Sequence, residues 1–132
     1  MIQNTLTKFS FKKIVKDALY EDLGQNGDIT SNSIIDIESE DDFYMSARED
    51  GTISGLFLAS LTFEIIDKRL KFSPFIKDGD RVKKGDKIAK IKGTTRSILS
   101  GERTALNFLS HLSGIATSTN KMVELISCLL YS

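Results

Sequence analysis

The chain has 132 residues, enough for one domain with a real core, since domains cluster at about 100 to 150 residues. Eighteen basic residues balance eighteen acidic ones, so no net field draws it to nucleic acid or to an anionic membrane surface, and neither is expected as a partner. The one cysteine, Cys128, excludes an internal disulfide and suits a reducing, cytoplasmic compartment; no His/Cys cluster offers a metal site, and no run reaches the ~18 apolar residues of a membrane span.

The opening MIQNTLTKFSFKK lacks the apolar run of a signal peptide. Phe11, Ile14, Val15, Ala18 and Leu19 then recur at helical spacing with lysines between them, which predicts an amphipathic helix with Ser10 as its N-cap. Gly24, Asn26, Gly27 and Asp28 are turn formers and should end it. Glu38 to Asp42 reads as a solvated acidic loop rather than a cation site. Phe43, Met45 and Ala47 alternate, and an Asp50-Gly51 pair precedes Thr52 and Ile53, predicting two strands joined by a turn.

The segment LFLASLTFEII, Leu56 to Ile66, has helical length and is apolar on nearly every side, so a deeply buried helix is expected. From Lys71 onward, Pro74, Asp78-Gly79 and Gly85-Asp86 cut the chain into short strands, with apolar Ile88, Ala89 and Ile91 near their end. Everything after Gly93 has a helical pattern, with Thr94, Thr95 or Ser97 as its cap. Its apolar spacing runs through Ile115, Val123 and Ile126 to a final SCLLYS with no residue to stop it. Helix, strands, helix, strands and long helix in that order make an α+β pattern, not a doubly wound sheet.

Few of these residues combine into chemistry. His111 is the only histidine and has no nucleophile paired with it, so a surface or interface side chain is expected. Cys128 sits in an apolar stretch and reads as an inert buried thiol. The pairs Glu21-Asp22 and Glu49-Asp50 lie beside turns, where acidic residues are common, and their spacing does not predict acid/base work. The glycines form no phosphate-binding pattern. In GERTALNFLSHLSG, Gly101 to Gly114, the apolar stripe is Ala105, Leu106, Leu109 and Leu112, while Arg103 and Asn107 lie one turn apart on a different face. That face meets either water or a ligand or second chain. For Asn107 a helix cap or an interhelical hydrogen bond is the preferred reading. The stretch DGDRVKKGDKIAKI, Asp78 to Ile91, resembles the half-barrel turn of biotinyl and lipoyl carrier domains, but the lysine available for modification, Lys68, follows directly on a predicted helix and lacks their hairpin context.

Three stretches together resemble one family. ALYEDLGQNGDITS (Ala18 to Ser31), AREDGTISGL (Ala47 to Leu56) and DGDRVKKGDKIAKIKGTTRSILSGERTALNFLSHLSGIAT (Asp78 to Thr117) are similar, in that order, to the N-terminal part of quinolinate phosphoribosyltransferases, the carboxylating nicotinate-nucleotide pyrophosphorylases, over about residues 11 to 125. The resemblance implies an N-terminal α/β sandwich over residues 1–117, its short strands packed by helices in a half-barrel-like arrangement. Residues 118–132 would be the helical start of a link toward an open α/β barrel that this chain lacks. It also implies the family's reaction in de novo NAD synthesis. Quinolinate and phosphoribosyl pyrophosphate, with magnesium, give nicotinate mononucleotide, pyrophosphate and carbon dioxide.

Family members are dimers in which the sandwich of one subunit covers the barrel mouth of the other. Arg103 matches the arginine of the ERTALN motif, which in the family crosses that interface and binds a quinolinate carboxylate. The chemistry suits the role: a guanidinium grips a carboxylate through two parallel hydrogen bonds that lysine cannot reproduce, and it has no proton to exchange near neutral pH. The family's Thr-Arg-Lys-Thr segment, its His-Arg pair and a further barrel lysine have no counterpart in these residues. The implied partner is therefore a second copy or a separate barrel polypeptide, with no catalytic, cofactor-binding or metal residue in this chain, which alone is expected to be inactive. A non-catalytic interaction module docking through the apolar stretch from Val123 to Tyr131, an inactive remnant, and a carrier domain modified at Lys68 are the alternatives.

Overall fold

The computed structural model describes the backbone at residues 2–26 and 39–131 and the side chains at 10–24 and 39–119. Its elements run α1 (Ile2–Asn26), β1 (Glu40–Ser46), β2 (Gly51–Thr52), α2 (Leu56–Ile66), β3 (Lys71–Pro74), β4 (Arg81–Val82), β5 (Lys87–Thr94) and α3 (Thr95–Tyr131). This is the expected α+β order with a long terminal helix. Among the described residues no helix is long and apolar enough to cross a membrane.

Strands β1 and β3 flank β5 in one antiparallel sheet, and β2 pairs with β4 in a second, two-stranded one. Side-chain alternation sorts the larger sheet into two faces. Phe43 and Met45 lie opposite Ile91 and Ala89 on the core face, while Asp42 and Tyr44 lie opposite Lys92 and Lys90 on the outer face. Inside, Met45, Ile91, Phe63, Ile98, Ala105 and Leu109 belong to one cluster.

Helix α2 explains its own composition. Ala59 and Phe63 join that main cluster, whereas Leu61 turns the other way and packs with Val15 and Leu19 of α1. A helix with a core on each side needs apolar residues nearly all round. Even Phe57, half exposed, meets Phe11 of α1 edge to face at 5.6 Å. Helix α3 crosses α2 closely at Gly101, where an added Cβ would lie 3.3 Å from Phe63 and Ile66 side-chain atoms. Its stripe behaves as spaced: Ala105 and Leu109 are buried, Leu106 and Leu112 partly so.

The start of α2 is where distant parts of the chain are joined. Gly55, its N-cap, has φ of 98°, and a Cβ there would meet Leu112 Cδ1 at 2.9 Å and the Phe108 carbonyl oxygen at 3.3 Å. A side chain is strained on both counts. The Ser113 hydroxyl accepts from the Ser54 N–H at 3.0 Å and donates to the Ser54 carbonyl at 3.1 Å. One turn on, Thr117 Oγ1 accepts from the Thr52 N–H at 2.9 Å. Asp78, in the turn before β4, supplies the carboxylate that accepts from the Leu56 N–H at 3.1 Å, one of the donors a helix start leaves open.

Several local expectations change in this context. Ser10 lies inside α1 and not at its cap, because IQNTLTKF before it contains no Gly or Pro to stop a helix. The same helix passes through Gly24 and ends at Asn26, two residues into the stretch expected to break it. Gly27, Asp28 and Glu38 lie outside the described residues. The acidic run is solvated as expected but is not a loop: Glu40 to Asp42 open β1, paired with Thr94, Gly93 and Lys92 of β5, with Asp42 Oδ2 3.6 Å from Lys90 Nζ. The expected hairpin does not form, since β1 pairs with β5 and β2 with β4. The glycine turns account for this: Gly85 N–H donates to the Ala47 carbonyl and Gly79 N–H to the Ile53 carbonyl, each at 2.8 Å, so both ends of the supposed turn are taken by other strands. Helix α3 starts at Thr95 directly from β5, and the Ser97 hydroxyl donates to Asp67 Oδ2 at 3.1 Å instead of capping its own helix.

Two outcomes follow for stability. Gly55→Ala should destabilise the fold by roughly 2 to 3 kcal/mol, from the left-handed backbone and the collision with α3, read as a lower urea midpoint at unchanged slope. The Asp67 carboxyl is held at about 2, below its ordinary 3.8, chiefly by the Arg69 side chain and then by the Arg69 N–H, with Ser97 assisting and burial opposing. A folded value below the unfolded one adds stability above the ordinary value and loses it as pH falls from 3.8 to about 2. Asp67→Asn should therefore lower the thermal midpoint by a few degrees at neutral pH, and the two proteins should converge as the solution is brought to about pH 2. Circular dichroism melts across that range test it.

Candidate functional site

Beyond the apolar stripe, α3 carries Arg103, Asn107 and His111 at successive turns of one exposed side, the placement that a four-residue spacing dictates. Residues of this side and of the last turns of α1 line an open cleft of about 750 Å³, walled by Glu21 and Asp22 on one helix and Thr104, Asn107, Phe108 and His111 on the other. The pairing of α1 with α2 through Val15 and Leu19 sets the position of that wall.

Arg103 does not line this cleft but lies beside it, next to Asp22 of its wall. Its Nη1 is 3.8 Å from Asp22 Oδ1, an ion pair too long for a direct hydrogen bond. The arginine side chain is 61% exposed, while that of Asp22 is 19% exposed. The charged head is therefore held near a carboxylate yet open to solvent. Thr104, next in sequence and part of the cleft wall, is only 4% exposed, and its hydroxyl has no hydrogen-bond partner.

The remaining candidates separate clearly. Asn107 lies in the interior of α3, so it caps nothing, and its amide makes no hydrogen bond to another described residue; it is a cleft-wall side chain. His111 is exposed, as expected of a surface histidine. Lys68 lies exposed in the short turn between α2 and β3, away from any hairpin tip. Cys128 and the side chains from Val123 to Tyr131 lie outside the described residues. Among the described residues no three His, Cys, Asp or Glu side chains gather where a metal ion could sit.

Asp22 is the participant that sequence reasoning missed. The only local signal is an acidic pair closing an amphipathic helix, and nothing local connects it with an arginine on α3. The serine and threonine of LSGIAT have the opposite lesson: Ser113 and Thr117 are spent on the backbone before α2, a structural task.

Residues 28–113 match the family model described as quinolinate phosphoribosyl transferase, N-terminal domain. The chain is 40% identical over 116 residues to quinolinate phosphoribosyltransferase [decarboxylating] 2b, mitochondrial, of Nicotiana tabacum, covering 88% of this chain and 33% of that protein. It is 41% identical over 124 residues to the chloroplastic nicotinate-nucleotide pyrophosphorylase [carboxylating] of Arabidopsis thaliana, covering 92% of this chain and 36% of the relative. Among solved structures, NadC from Streptococcus pyogenes aligns with a TM-score of 0.82 at 39% identity, over 88% of this chain and 42% of that one. The nicotinate-nucleotide pyrophosphorylase of Francisella tularensis aligns with a TM-score of 0.82 at 35% identity, over 89% and 41%. The chain thus spans about a third of the length of these curated relatives. By its ordered motifs, its fold and these matches, the chain belongs to the quinolinate phosphoribosyltransferase family and corresponds to that family's N-terminal domain.

Proposed function

We propose that this chain is the substrate-capping portion of a phosphoribosyltransferase that converts quinolinate and phosphoribosyl pyrophosphate to nicotinate mononucleotide, pyrophosphate and carbon dioxide, and that Arg103 is its substrate-binding residue. The observation that carries the reading is the match of residues 28–113 to the family's N-terminal domain, with Arg103 on the open side of the helix that ends that match. Residues 1–117 form the capping domain in this reading and 118–132 begin the connection to the barrel portion. Arg103 reaches the barrel of a second copy or of a separate polypeptide and grips a quinolinate carboxylate through paired hydrogen bonds. Its work is binding and orientation, and the bond-making groups belong to the barrel.

Magnesium would accompany phosphoribosyl pyrophosphate. In this reading it comes bound to that substrate's phosphates, and no step involving the metal is assigned to this chain. A cytoplasmic setting completes the reading and rests on the lone cysteine.

The alternative of a non-catalytic module differs in one measurable respect. Mixed with a barrel portion of the family and both substrates with magnesium, this chain should restore turnover that neither part has alone. In that assembly Arg103→Ala should raise the KM for quinolinate roughly 10- to 100-fold, the loss expected for hydrogen bonds to a charged group. No restored turnover, or an unchanged KM in the variant, would return Arg103 to an ordinary exposed side chain.

A further inference from the structure

We propose that Asp22 is a positioning residue: its carboxylate, fixed on α1, holds the Arg103 guanidinium in the orientation from which it takes a substrate carboxylate. This rests on the reading of Arg103 given above and extends it to a residue on a different helix.

The geometry has three parts. First, the pair is asymmetric. Asp22 is mostly covered and sits on a helix anchored through Val15 and Leu19, which are buried, whereas Arg103 is mostly exposed. The carboxylate is the fixed member and the guanidinium the guided one. Second, the contact engages one corner of the fork. The closest approach to Asp22 is through Nη1, at 3.8 Å, beyond hydrogen-bond distance, and no other described residue makes a hydrogen bond or ion pair to the arginine. The edge formed by Nε and Nη2, which suits bidentate recognition of a carboxylate, is left for a ligand. Third, the pairing is weak enough to give way. An ion pair of this length with its guanidinium in solvent narrows the conformations of a long side chain without locking it, and such pairs are worth little in stability. A shorter, two-pronged contact would occupy the same edge that the substrate needs.

Removing the guide should therefore weaken substrate binding while leaving the chemical step alone. In the assembled enzyme, Asp22→Asn should raise the KM for quinolinate about two- to five-fold with kcat and the KM for phosphoribosyl pyrophosphate unchanged, and Asp22→Glu should recover part of the loss. The decisive measurement is a double-mutant cycle. In an Arg103→Ala background, Asp22→Asn should have no further effect on KM, because there is nothing left to position. An unchanged KM in Asp22→Asn overturns the inference, and so does an effect that persists in full without Arg103, which would mark a structural role for α1. The two readings fail differently: Arg103→Ala without effect removes the substrate role itself, whereas Arg103→Ala with a raised KM and a silent Asp22→Asn removes only the part assigned to Asp22.

Discussion

The approach of α2 to α3 at Gly55 is the constraint on which the other packing depends. Any side chain there is strained, because the backbone is left-handed and the Phe108 carbonyl and Leu112 crowd a Cβ. Ser113, Thr117 and Asp78 then satisfy the backbone donors of Thr52, Ser54 and Leu56, so the entry to α2 is secured from α3 and from the turn before β4. Buried backbone groups left open would each cost about 1 to 3 kcal/mol, and this start would be unstable without them. Three stretches far apart in sequence meet at that point.

With α2 pinned, the rest is set by which of its faces is apolar. One side closes the sheet's core through Ala59 and Phe63, and the other seats α1 through Leu61. The end of α1 is thereby carried alongside the exposed side of α3. The cleft and the Asp22–Arg103 pair are consequences of core packing, formed by side chains that take no part in it. This separation leaves the packing of the scaffold independent of the charged pair on its surface.

Much of this architecture was legible from periodicity. The bounds of α2 from Leu56 to Ile66 follow from the length of its apolar run, and the stripe of α3 and the inward set Phe43, Met45 and Ala47 from spacing, because burial on one face imposes its period on the residues that line it. Strand partners were not legible in the same way. Asp50-Gly51 is a sound local turn signal, yet Ala47 and Ile53 bond to the Gly85 and Gly79 turns, and a pattern of two carries no record of which distant strand will be chosen. The acidic run hides its strand for the same reason: its partners Lys92, Gly93 and Thr94 lie in β5, and the pairing that makes it a strand is visible only once both are placed.

The amino-acid sequence by itself determined the family, the α+β order, the buried helix and the identity of the exposed arginine, since these are written in local patterns and in motifs whose order along the chain is itself informative. The tertiary structure decided what those motif residues do. Ser113 and Thr117 serve the backbone, Asn107 and His111 line a cleft, and Asp22 faces Arg103 across two helices. The physical reason is that a hydrogen bond or an ion pair depends on distance in space, and the chain's folding brings together groups whose separation in sequence gives no hint of it.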